Sequence, residues 1–350
     1  MIRKAKLADN VVPSVDSLRR AQSLGLHINN AVYNRDTFIK HYSLDPKFSM
    51  PQENWDFAAH DFYTAGYGSI KSLQWDQLKH LRFRSRAFTG YSLMHMGPII
   101  KSTSSGDEIS ANFDDTYLTD LPGLDINADR LVARWETLTN DIPTKFIYRA
   151  KPMLGEVGWW LYDVLLNSDT VGYQERMTLM YRAGLFDLPD NPRILEIGGG
   201  YGALAYAITE AIPDCEYWIC DLPEALLFSG IYLSLTKDQD VHLHLDLFVG
   251  PSIRPIINLL PNYFAETLEE PFDLVINTLS FAEMSKYQVL KYGALISRLI
   301  GKSGKLFEQN HSNSQSNDTA KFWLAQYFTK RTPIDVEFIV RNGVPDIWSN

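Results

Sequence analysis

The chain has 350 residues, 45% of them hydrophobic, enough to bury one large core or two ordinary ones and to exclude wholesale disorder. Lys and Arg number 33 against 42 Asp and Glu, a formal charge of −9, so no general attraction to nucleic acid or to anionic membranes is expected. No apolar run approaches the ~20 residues of a spanning helix, and Met1-Ile2-Arg3-Lys4 leads into a polar stretch rather than an apolar signal region.

Up to about residue 188 the sequence reads as mostly helical and rich in aromatics. The segment Lys79-His80-Leu81-Arg82-Phe83-Arg84-Ser85-Arg86 is locally basic. It fits either a solvated, ion-paired face or a site for the diphosphate of a sugar nucleotide, and is too short to suggest nucleic acid. Residues 94–125 read as loop, while 131–138, 158–167 and 173–186 carry apolar residues at helical spacing. The aromatic start of the second of these, Trp159-Trp160, suits core packing or stacking on a sugar ring. Residues 1–188 are therefore expected to form a cap over an acceptor pocket and to provide a surface for a homodimer.

Leu188-Pro189-Asp190-Asn191-Pro192 reads as a turn or linker. Beyond it, short apolar runs at 193–197, 216–220, 241–245, 272–277, 305–308 and 335–340 alternate with helical patterns at 203–211, 224–235, 285–299 and 318–327. This alternation predicts an α/β fold, a parallel sheet covered by helices on both faces. Ligands of such sheets lie at the carboxyl ends of the strands. Cys215 and Cys220 flank one predicted strand, too far apart in an extended segment to bridge. With no disulfide framework, a reducing cytoplasm is the expected setting.

The strongest motif is Ile194-Leu195-Glu196-Ile197-Gly198-Gly199-Gly200-Tyr201-Gly202-Ala203-Leu204: a strand, an acidic residue, a G-x-G-x-G turn and a helix. Missing side chains at Gly198, Gly200 and Gly202 permit positive φ and let a ligand lie against the backbone. Glu196 at the strand tip can hold a cationic group, and Tyr201 falls either against the ligand or beneath the cap. Asp221, nineteen residues beyond Gly202 at the end of the second run, can accept from both hydroxyls of a ribose, with Leu222 beside it. Asp246, ending the run from 241, can accept from an adenine amino group, with Leu247 or Phe248 against the ring. His242 and His244 alternate along that run and read as structural. Gly198, Gly200 and Ala203 also satisfy a nicotinamide-dinucleotide pattern. Glu196 and the short chain remaining after the sheet favour a methyl-transfer cofactor instead.

The glycine loop resembles motif I of class I methyltransferases, and Asp221-Leu222-Pro223 resembles the same triplet in many small-molecule O-methyltransferases. A closer likeness runs from Gly155 to Trp348. It takes in Leu195 to Gly202, Asp221-Leu222-Pro223-Glu224, Ile276-Asn277-Thr278-Leu279-Ser280-Phe281-Ala282-Glu283-Met284 and Glu308-Gln309-Asn310. This set is similar to a bacterial family of sugar O-methyltransferases linked to natural-product and surface-glycan pathways. The resemblance implies a Rossmann-like domain at 189–350 with a seven-stranded, mainly parallel sheet. It implies S-adenosyl-L-methionine as cofactor, S-adenosyl-L-homocysteine as product and a sugar derivative as acceptor. The catalytic His that plant-type O-methyltransferases carry after the fourth strand has no counterpart in Ser280-Phe281-Ala282-Glu283.

An alcohol acceptor calls for a general base. Glu283, in the loop after the fourth strand, is the first candidate, although negative charge there also suits the start of the following helix. His311, past Glu308-Gln309-Asn310, is the second, with a solvated loop histidine as the alternative. Asn277 is a candidate for cofactor or sugar hydroxyls. No compact set of metal ligands is visible, and no metal is expected. N-methylation of an amino acid or peptide, a nicotinamide oxidoreductase and a catalytically inactive partner subunit stand as alternative functions.

Overall fold

The computed structural model describes residues 2–3, 13–51, 78, 81–85, 124–149, 151, 153–154, 156, 158–237, 241–245, 257–311, 320–335 and 343–350. Strand β1 is Ile2–Arg3. Helix α1, Val15–Tyr33, begins at Ser14, whose side chain accepts the Ser17 N–H, and it buries Ala21, Leu24, Gly25, Ile28 and Ala31 along one stripe. Then come α2 (Arg35–His41), α3 (Pro46–Ser49), α4 (Leu81–Arg84) and α5 (Leu124–Thr139).

The predicted helix over 158–167 is instead a hairpin of β2 (Trp159–Leu161) and β3 (Val164–Leu166), which joins β1 in a three-stranded sheet. Two effects override the helical spacing. Tryptophan and valine favour strands, and Tyr162 takes positive φ (55°) at the two-residue turn. Asn167 then caps α6 (Ser168–Arg182) through a capping box with Thr170, so this helix starts five residues before the predicted 173. The N-terminal region is thus helical with a small sheet of its own.

The main sheet is built from β4 (Arg193–Ile197), β5 (Glu216–Asp221), β6 (Val241–Leu243), β7 (Ile257–Pro261), β8 (Leu274–Thr278), β9 (Lys305–Gln309), β10 (Lys330–Pro333) and β11 (Asp346–Ser349). Helices α7 (Ala203–Ala211), α8 (Pro223–Thr236), α9 (Lys286–Ile300) and α10 (Ala320–Leu324) connect them. The order across the sheet is β10-β11-β9-β8-β4-β5-β7-β6. Strand β11 runs opposite to the others, pairing antiparallel with both β10 and β9. The fold is Rossmann-like α/β, as expected, with two corrections to the sheet. Among the described residues it has eight strands rather than seven, and β7 was not anticipated. Because β7 inserts beside β5, the run from 241 forms the outer edge instead of the third strand. Strand β7 is buried along its whole length, so it lacks the alternation that marks a half-exposed strand. The predicted run at 335–340 lies largely outside the described residues. The closing strands are β10 and β11, and β10, exposed at every residue, forms the other edge.

Successive residues of β4 point to opposite faces. Ile194 joins a core with α7, α8, α6 and α1, while Leu195 and Ile197 join a second core with α9, α10 and Phe48 of α3. Residues before 51 therefore pack on both faces of the sheet. Cys215 and Cys220 are both free and buried. His244 stacks on Trp218 at 4.4 Å and meets Asn258 Oδ1 at 2.7 Å, a structural placement.

Candidate functional site

The carboxyl ends of β4, β5, β7 and β8 meet at a cleft of about 540 Å³, open to solvent and walled by Gly198, Asp221, Leu222, Asn262, Ser280 and Glu283 among others. The glycine loop forms its floor. Gly198 has φ +78°, and a Cβ there would lie 2.3 Å from Ser280 Oγ, so any side chain would both strain the backbone and collide. Gly202 has φ +84° and starts α7 against Ser229 and Leu233 of α8. Its role is close packing of the two helices.

Asp221 closes the loop from the next strand. Its Oδ2 accepts the Gly200 N–H at 2.8 Å, and its Oδ1 accepts the Leu222 N–H at 2.7 Å. Burial pushes its carboxyl up to about 6, against the pull of those two amides. Each oxygen retains lone-pair capacity toward the cleft, as two adjacent ribose hydroxyls would require.

The sequence reading missed Asn262, Ser280 and Gln288. Asn262 follows β7, and its Nδ2 donates to Ser49 O at 2.9 Å. Gln288 Nε2 donates to Phe48 O and Met50 O, each at 3.2 Å. The N-terminal segment around α3 is thereby fastened to the cleft, which Pro51 also lines.

Glu196 lies beneath the loop on the opposite face and is 2% exposed. Its Oε2 accepts from Tyr217 Oη at 2.9 Å. Burial raises its carboxyl to about 7, opposed by the Tyr217 hydrogen bond and by the charge of Arg176. The Tyr201 ring turns into the core, tilted against Tyr232 at 4.4 Å, with the Arg82 guanidinium 4.6 Å above it. Arg82 itself is 1% exposed and bridges Glu156 (2.6 Å) and Asp169 (2.7 Å). The most central cation of the basic segment is therefore an internal tie.

Asn277 is fully buried, and its amide is used within the protein. Nδ2 donates to Ile197 O (3.0 Å) and Ser280 Oγ (2.6 Å), while Oδ1 accepts from Asn310 (2.8 Å). Asn310 also donates to Glu308 Oε1 at 2.8 Å and accepts from the Ala282 N–H. Glu308 is buried, and burial raises its carboxyl to about 7.

Glu283 is exposed and lines the cleft close enough to act on Asp221. The cap of α9 is supplied by Ser285 and Gln288. His311, also exposed, is not among the described residues that line the cleft. Asp246 and Leu247 lie outside the described residues, and their expected place beside β5 is taken by the end of β7. Among the described residues no group of three or more His, Cys, Asp or Glu could hold a metal ion. No helix among them is long and apolar enough to cross a membrane.

Residues 170–252 match the family model of an O-methyltransferase domain. A stretch of 67 residues is 33% identical to acetylserotonin O-methyltransferase of Macaca mulatta, covering 19% of this chain and 19% of that protein. The chain thus matches about a fifth of that curated relative's length. Among solved structures, a TehB-like SAM-dependent methyltransferase from Corynebacterium glutamicum is similar at 12% identity, over 51% of this chain and 95% of that one, with a TM-score of 0.34. The glycopeptide N-methyltransferase MtfA, solved with S-adenosyl-L-methionine, is similar at 13% identity over 51% and 93%, with a TM-score of 0.36. Sheet order and glycine loop define a Rossmann-like domain, and the stretch that matches the O-methyltransferase model carries its glycine loop and Asp221.

Proposed function

We propose that this chain is an S-adenosylmethionine-dependent O-methyltransferase acting on a small molecule, with a sugar hydroxyl of a glycoside or glycan precursor as the acceptor. The observation that carries the reading is the grip of Asp221 on the Gly200 N–H at the mouth of the cleft, inside the stretch that matches the O-methyltransferase model. The close approach of backbone and Ser280 that only glycine permits at position 198, next to a carboxylate with spare acceptor capacity on the same cleft, fits the adenosine half of that cofactor. The bound cofactor would supply an electrophilic methyl on a sulfonium.

The protein's part is to bind, orient and exclude water. Asp221 holds the ribose, Leu222 and Asn262 flank the base, and the Asn277–Asn310 pair keeps the end of β4 fixed. Glu283, on the cleft wall, is the general base that takes the acceptor's hydroxyl proton. The N-terminal region up to 188 serves as the cap. Support for this comes from α6, whose Glu175 Oε1 accepts from Gln309 Nε2 at 3.1 Å across the strand ends. The sugar acceptor rests on the likeness of the 195–202, 221–224, 276–284 and 308–310 segments to the sugar O-methyltransferase family.

Calorimetric titration with S-adenosylhomocysteine tests the cofactor assignment. Micromolar binding, roughly −8 kcal/mol, that weakens in Asp221→Ala is expected. Absence of binding would redirect the assignment to a nicotinamide dinucleotide or to a partner subunit. A screen of glycosides with isotopically labelled methyl donor then tests the acceptor, and label appearing only on amines would overturn O-methylation.

A further inference from the structure

Among the charged groups of α6, Arg176 is the exception. Asp169 is paired with Arg82, and Glu175 is paired with Arg134 and bonded to Gln309. Arg176 is only 9% exposed, yet its buried Nε finds no hydrogen-bond partner among the described residues. The Tyr173 ring lies 5.1 Å from its guanidinium carbon. A guanidinium stays charged at any working pH, and a buried donor of such a group is unfavourable unless something accepts from it.

The surroundings restrict what that something is. Tyr173 belongs to the same core as Tyr201, Ala203 and Tyr217, so Arg176 stands over the glycine-loop side of the sheet. It is close enough to Glu196 to stabilise that carboxylate electrostatically. One oxygen of Glu196 is held by Tyr217, and the other is left over. A cation with an unmet donor and a half-used carboxylate thus lie within electrostatic reach of each other on the glycine-loop side of the sheet. A multiply charged phosphate would be repelled by Glu196 and by nearby Asp221. A group bearing an ammonium and a carboxylate on one carbon satisfies both partners at once.

We infer that Arg176 anchors the carboxylate of the amino-acid end of the cofactor, with Glu196 taking the adjacent ammonium. The inference rests on the S-adenosylmethionine reading above and names the residue that makes the site selective for an amino acid rather than for adenosine alone. It also explains why α6 belongs to the site although it precedes the Rossmann-like domain in the chain. It is a binding role, and the carboxylate stays intact.

The test uses the full chain and calorimetry with three probes: S-adenosylhomocysteine, its decarboxylated analogue, and 5′-methylthioadenosine, which lacks the amino acid. Wild type is expected to prefer S-adenosylhomocysteine over the decarboxylated analogue. Arg176→Met should weaken S-adenosylhomocysteine roughly ten- to a hundredfold, the range of a lost charge-assisted hydrogen bond, and erase that preference. It should leave 5′-methylthioadenosine within about twofold, which also verifies that the variant is folded. Arg176→Lys, a point charge without the planar fork, should fall between. An Arg176→Met protein that binds S-adenosylhomocysteine like wild type, or that loses it and 5′-methylthioadenosine equally, would overturn the assignment while leaving the cofactor reading in place. A wild type that binds neither nucleoside would overturn both.

Discussion

Asn310 Nδ2 donates to Asn277 Oδ1 at 2.8 Å, joining the residue just past β9 to the interior of β8. Through Asn277 Nδ2 the chain of bonds reaches the carbonyl of Ile197, the last residue before the glycine loop. Replacing Asn277 with Ala would leave the Asn310 amide short of one buried acceptor, at a cost of about 1–3 kcal/mol. Urea denaturation should show that loss. S-adenosylhomocysteine affinity should fall with it, because the position of Gly198 is set by the same bonds.

Glu308 gives stability a pH dependence. Burial raises its carboxyl from 4.5 to about 7, so between those values the folded state holds a proton that the unfolded chain has released. Stability is therefore fully present below pH 4.5 and declines as pH rises toward 7. The loss is on the order of 3 kcal/mol from this group. Glu308→Gln should flatten that part of the curve and be more stable than wild type at pH 8. Denaturation midpoints across the range would show it, and a variant with the wild-type slope would refute it.

Arg82 carries two buried carboxylates, Glu156 and Asp169. Arg82→Met should destabilise by about 3–5 kcal/mol, since both acids would remain buried without their cation. The double variant in which Glu156 also becomes Gln should recover part of the loss. Equilibrium unfolding of the two proteins provides the comparison.

The two candidate bases separate by position. Glu283 faces the cleft that holds Asp221, whereas His311 is not part of its described lining. Glu283→Gln should lower turnover on an alcohol acceptor by about 10²- to 10⁴-fold with S-adenosylhomocysteine affinity near that of wild type. His311→Ala should keep turnover within a few-fold. Labelled methyl transfer measured beside calorimetry distinguishes these outcomes, and the reverse ranking would move the base to His311.

The elements that repeat a simple local rule were readable in advance. Strand β4, the glycine turn and α7 fall where the apolar run, the glycines and the helical spacing put them. Strand β7 was not read because a run buried on both faces carries no alternation and its last residue, Pro261, is a residue that argues against a strand interior. That omission displaced the expected adenine contact to Asp246 and hid Asn262. The hairpin at 159–166 was misjudged because short apolar runs suit either period. Asn262, Gln288 and Arg176 owe their places to contacts between distant parts of the chain. The Asn262–Ser49 bond, for example, spans 213 residues, and no local pattern encodes such a pairing.

The two borders of the main sheet have a consequence for the fate of the chain at high concentration. Among the described residues one border is the three-residue β6, and the other is β10, whose Lys330, Arg331, Thr332 and Pro333 are all exposed. A stray strand needs a long, flat, uncharged row of free amides and carbonyls as a template. Brevity removes that template at one side. At the other, the exposed charge of Lys330 repels a copy of itself, and proline withholds a donor. The sheet is thus guarded against end-to-end aggregation by the same residues that bring it to a close.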